Sequence, residues 1–141
     1  MKTKIVFKDF QIHNVPMETI LVDESGKFEC CIMLDDINEK RWKIVFKAYQ
    51  ALKLTAVDCV EYEEGYFKNF CYQKEGESFL SSCRYILEVI DSEWINELKE
   101  NLLKNDTEAN FMDKARHFVL PLYDYHIEII AWDLELTEYK E

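Results

Sequence analysis

Four side chains near the C-terminus are of types that do chemistry: His117, Asp124, His126 and Glu128. Two imidazoles with a carboxylate can bind a divalent metal, or serve as a base with the group that orients it. If the segment around His126 is a strand, Glu128 stands on the same face two residues on and adds an oxygen. The spacing matches no established ligand motif, and histidines on a strand face are common. The quartet therefore marks a candidate small enzyme or metal- or ligand-binding domain without defining one. A nucleophilic cysteine would need a base nearby and a route to solvent. The five cysteines (Cys30, Cys31, Cys59, Cys71 and Cys83) show no CxxC spacing and mostly sit in apolar runs, where a thiol behaves as a small hydrophobe. Adjacent Cys30 and Cys31 must face opposite sides of a strand, so at most one is buried with the core. His13 reads as a loop residue.

The motifs that define common catalytic classes are missing. Three scattered glycines, Gly26, Gly65 and Gly76, cannot build a phosphate cradle, and there is no GxSxG elbow, HExxH helix, EF-hand loop or paired CxxC zinc site. The expectation is a chain that is not an enzyme and holds no cofactor or metal. A net charge of −11 repels nucleic-acid phosphates and anionic membranes and attracts a basic protein at long range. The excess is uneven: residues 1–70 carry a net −2 and residues 71–141 a net −9. An acidic surface also serves plain solubility. The carboxylates expected to face a partner are Asp35, Asp36, Asp58, Glu61, Glu63, Glu64, Asp133, Glu135 and Glu138. Between Asp58 and Tyr72 they are interleaved with Tyr62, Tyr66, Phe67 and Phe70, a composition that suits either an interface with aromatic anchors or a hairpin whose rings are core.

Positioning these groups requires a framework, and the 141 residues with 48% hydrophobic content suffice for one domain, 1–141, around one core. Few glycines and prolines indicate order nearly end to end. Period-two alternation predicts a hairpin of Thr19–Val22 with Phe28–Leu34 across the turn at Asp23 to Gly26, then strands over Arg41–Lys47, Leu52–Val57, Cys83–Val89, His117–Leu120 and Ile127–Leu136. One helix is predicted from Asp91 or Ser92 as cap, with Trp94, Ile95, Leu98 and Leu102 as its apolar stripe and an end at Asn105-Asp106. The order predicts an α+β class: a single strand-rich domain, mostly antiparallel sheet, with one main helix over about 92–104 packed on it and a C-terminal strand pair. No apolar run approaches a bilayer span, and the N-terminus lacks a signal-peptide stretch. With five cysteines, an odd number without CxxC spacing, a reducing, cytoplasmic location is expected.

The stretch Lys114-Ala-Arg-His-Phe-Val-Leu-Pro-Leu-Tyr-Asp124, followed by Ile127-Glu-Ile-Ile-Ala131 and preceded by the Asp91-Ser-Glu-Trp94 helix start, resembles small acidic proteins of Gram-positive bacteria. Some of these resemble immunity proteins, cytosolic antitoxins that bind and block a cognate secreted toxin. The similarity covers roughly residues 85–136, and its motifs are structural. It implies a protein-binding domain without catalysis and carries no site residues over; with the acidic charge, the expected partner is a basic toxin.

Overall fold

The computed structural model describes residues 2–22, 26–59 and 84–140. The expected acidic and aromatic stretch from Glu61 through Tyr72, the turn at Asp23 to Ser25, and Cys71 and Cys83 lie outside the described residues.

Among the described residues, nine strands form two antiparallel sheets. The first has the order β1 (Lys2–Ile5), β6 (Leu87–Ile90), β7 (Arg116–Pro121), β8 (Tyr125–Ala131) and β5 (Ala51–Ala56). In the second, β2 (Thr19–Val22), β3 (Glu29–Asp35), β4 (Arg41–Lys47) and β9 (Asp133–Glu138) follow one another. The α+β class and the helix hold, but the strands divide into two sheets where one was expected. Alternation gives each strand one inward face, and the two sheets pack on those faces. Cys30, Ile32 and Leu34 of β3 with Ile44 and Phe46 of β4 face inward, and meet Phe118, Leu120, Ile127 and Ile129 of the first sheet in one core of almost fully buried side chains. The rings of Phe46 and Phe118, 5.6 Å apart, join the two layers. Burying such side chains stabilises by about 1.5–3 kcal/mol each.

The second departure from expectation is at the C-terminus, where the apolar run over Ile127–Leu136 is broken at Trp132 into β8 and β9. Both this strand and its antiparallel partner, β4 with β5, turn from one sheet into the other at the same corner. Trp132 N–H donates to the Lys47 carbonyl at 3.0 Å, and Gln50 N–H to the Ile130 carbonyl at 2.7 Å. Between the pairs Lys47–Asp133 and Ala51–Ile130, three residues oppose two. That extra residue is a bulge, which bends the strands through the corner. Ala48 takes a left-handed conformation there, with φ 52°, a backbone state that costs a residue with a Cβ about 1 kcal/mol or more.

The helix α1 (Glu93–Asn105) covers the outer face of the first sheet. Its Ile95 packs with Ile130 of β8 and with Met112 from the short 3-10 turn Phe111–Lys114, while Trp94, Leu98 and Leu102 complete that second cluster. The expected stripe is thus the packed one. β1, which the sequence did not mark, closes one edge of the first sheet against β6.

Candidate functional site

Register decides which of the chemistry-bearing side chains meet. On the outer face of the first sheet, pairing places His117 opposite Ile130, Val119 opposite Glu128, and Pro121 opposite His126. Cross-strand partners share a face, so His117, His126 and Glu128 all point toward the α1 side. Diagonal neighbours close the gap: His117 Nε2 lies 2.9 Å from Glu128 Oε1, with both side chains buried. Asp124 does not join them. It sits in the β7–β8 turn, where its carbonyl accepts from Val57 N–H at 3.0 Å. Among the described residues no group of three or more His, Cys, Asp or Glu side chains is arranged to hold a metal ion.

The third member of the cluster is Ser92. It is the N-cap of α1, its Oγ accepting from Ile95 N–H at 3.2 Å, and the same oxygen is 2.7 Å from His117 Nδ1. A carboxylate only accepts, so Nε2 carries the proton toward Glu128; with the ring neutral, the Ser92 hydroxyl donates to Nδ1. Trp94 stands edge-on to the His117 ring at 5.3 Å. Lys53 of β5 lies over the Trp94 ring at 4.8 Å and reaches Glu128 Oε2 at 3.5 Å. The connectivity Ser–His–Glu is that of an acid–base relay. Its members are 5%, 0% and 4% exposed, and the serine oxygen is committed to the helix cap. The arrangement fastens the start of α1 to β7 and β8 and satisfies buried polar groups that would otherwise be costly.

Beside it, His126 is also buried. Removal from water pushes its pKa down to about 4, and the nearby Glu128 carboxylate offsets only part of that.

The carboxylates expected at a partner surface have separate fates. Asp36 is turned inward: its Oδ1 accepts from Asn38 and Lys40 N–H at 2.8 and 3.0 Å, and its Oδ2 from Trp42 Nε1 at 2.8 Å. It shapes the β3–β4 turn and is not presented to a partner. These bonds hold its carboxyl below the usual range although burial acts the other way. Asp35 pairs with Arg41 at 3.1 Å, Glu135 with Lys47 at 3.0 Å, and Asp133 with Arg116 at 3.1 Å. Asp58 and Glu138 lie at the surface. Glu61, Glu63 and Glu64 lie outside the described residues.

Sequence reasoning missed Arg116 and Glu88. Arg116 donates from Nε and Nη2 to the buried Glu88 at 3.1 and 2.6 Å, and from Nη1 to Asp133, tying the two sheets together. Lys4 approaches the same carboxylate at 3.7 Å. An acidic residue amid Leu87, Val89 and Ile90 was the available signal, since a carboxylate in an apolar strand needs a cation.

At one end of the sandwich, residues 15–19, Arg41 at the start of β4 and the β7–β8 turn frame an open cleft of about 540 Å³. Val15, Met17 and Tyr123, 48%, 65% and 63% exposed, line it together with Glu18, Arg41 and Asp124. The loop is held in place. Arg41 Nη1 donates to the Met17 carbonyl at 2.8 Å, Asp35 N–H to the Pro16 carbonyl at 2.9 Å, and His13 N–H to the Asp35 carbonyl at 3.0 Å. The Tyr125 hydroxyl bonds to Glu18, and its pKa is pushed up to about 12 by burial and that carboxylate.

Comparison with known proteins gives no match: no family model, no curated protein and no solved structure is similar to this chain. No described helix is long and apolar enough to cross a membrane.

Proposed function

We propose that this protein is a non-catalytic, cytoplasmic protein-binding domain of the immunity type, which occludes a basic partner such as a toxin domain through its acidic surface. One observation carries the reading. The buried carboxylates are compensated locally, Asp36 by Trp42 and two backbone amides, Glu88 by Arg116 and Lys4, and Glu128 by His117 and Lys53. Among the described residues, the acidic excess that remains is therefore carried by solvent-facing groups, where it steers a cationic protein and repels phosphates. The test is affinity capture from the secreted and lysate fractions of the protein's own cell, at about 0.05 M and about 0.5 M salt, since exposed charges are screened above roughly 0.1 M. The expected result is a basic protein bound at low salt and released at high salt. Capture of neutral or acidic proteins alone, insensitive to salt, refutes the reading.

A second reading, a serine-dependent hydrolase, has the Ser92–His117–Glu128 connectivity in its favour. Intact-mass analysis after exposure to a fluorophosphonate separates the two. A binding domain gains no mass, whereas a hydrolase gains one adduct that Ser92→Ala removes.

A further inference from the structure

We infer that the loop-end cleft is the seat of a lysine or arginine side chain presented by the protein partner. The inference rests on the protein-binding reading above and names the contact through which it acts. A long basic side chain has an apolar stem and a charged head, and the cleft offers the complement of both. Val15 and Met17 supply exposed apolar surface for the stem, and Tyr123 a largely exposed aromatic ring on which a cation can rest. Glu18 and Asp124 supply negative charge in the same lining. The cation already present does not cancel them. Arg41 is matched by Asp35 at 3.1 Å and directed to the Met17 carbonyl at 2.8 Å, so the lining retains two carboxylates beyond its own ion pair. Those same bonds hold the loop in one conformation before any partner arrives, which lowers the entropic cost of association.

The partner is a protein and not a free cation, because the exposed apolar surface around the carboxylates gains nothing from a small hydrated ion. A defined probe tests this without the partner. Acetyl-Leu-Arg-amide is titrated to about 20 mM into the isotope-labelled protein, a range suited to a millimolar Kd, alongside acetyl-Leu-norleucine-amide, which lacks the charge. The expected result is amide shifts concentrated at residues 15–19, 41 and 123–124 with the arginine peptide. The norleucine peptide gives them at least about fivefold more weakly, and so does the arginine peptide with a Glu18→Gln/Asp124→Asn variant whose spectrum is otherwise native. Equal response to both peptides, shifts centred elsewhere, or none at all overturns the inference. With a captured partner, Met17→Lys, which removes apolar surface and sets a like charge against the incoming cation, should weaken binding at least about tenfold. Unchanged binding to a basic partner defeats this site and leaves the function standing, whereas the absence of any basic partner defeats the function itself.

Discussion

Replacing His126 by glutamine should remove a defined part of the protein's acid sensitivity. In the fold the ring stays neutral down to about pH 4, whereas in the unfolded chain it takes up a proton near pH 6.5. Below pH 6.5 the unfolded state therefore binds more protons than the folded one, and stability falls as pH falls until the folded ring also titrates, near pH 4. Each tenfold difference in proton affinity is worth about 1.4 kcal/mol. The loss is about 2 kcal/mol at about pH 5 and about 3 kcal/mol when complete. The ring is 1% exposed, so solvent screening does not dilute it. Carboxylates titrate in the same range, and only the difference between wild type and variant isolates the histidine. Glu128, Lys53 and His117 on the same sheet face remain in both proteins. The assay is urea unfolding followed by tryptophan fluorescence at about pH 7 and about pH 5. Glutamine lowers the stability at pH 7 by whatever packing it loses, but its further loss on acidification should be about 2 kcal/mol smaller than that of wild type. Equal losses for the two proteins would refute the argument that this imidazole is buried uncharged.

Other expectations rest on separate contacts. Ser92→Ala removes the helix cap and leaves His117 Nδ1 without its hydroxyl. Urea unfolding should show about 2–3 kcal/mol of destabilisation, where an isolated cap costs about 1. A loss under 1 kcal/mol would mean that the bond to His117 adds nothing. Glu39 holds φ 64° in the β3–β4 turn and is largely exposed, so Glu39→Gly relieves the left-handed strain and should raise the melting temperature by roughly 3–5 °C, read by differential scanning fluorimetry. Arg116→Met removes the doubly bonded guanidinium from the buried Glu88, leaving Lys4 at 3.7 Å, and should destabilise by about 3 kcal/mol. Arg116→Met with Glu88→Leu should recover most of that, and a cycle showing additive losses would contradict a buried pair.

Local sequence determined the elements of this protein and the partition of each strand into an inner and an outer face. The alternation of Cys30, Ile32 and Leu34 against Glu29, Cys31 and Met33 is a short-range pattern that needs no partner to be read. Equally local are the cap at Ser92, the stripe that buries Ile95, and the end of the helix at Asn105. The face shared by His126 and Glu128 also follows from period two. Tertiary structure alone decided the rest, because pairing joins residues distant in the chain and periodicity carries no record of who the neighbour is. Nothing near Ser92 announces His117, 25 positions on. The two meet only because β6, which leads into the helix, pairs with β7. The split into two sheets likewise turns on a single extra residue at the corner around Ala48 and Trp132, a mismatch visible only when both strands are laid side by side. Charge followed the same division. The acidic total was legible at once, but Asp36 reads as a surface carboxylate until the Trp42 indole and two backbone amides are seen to enclose it. A side chain's type sets which partners it can accept, and the fold sets which of them come within reach.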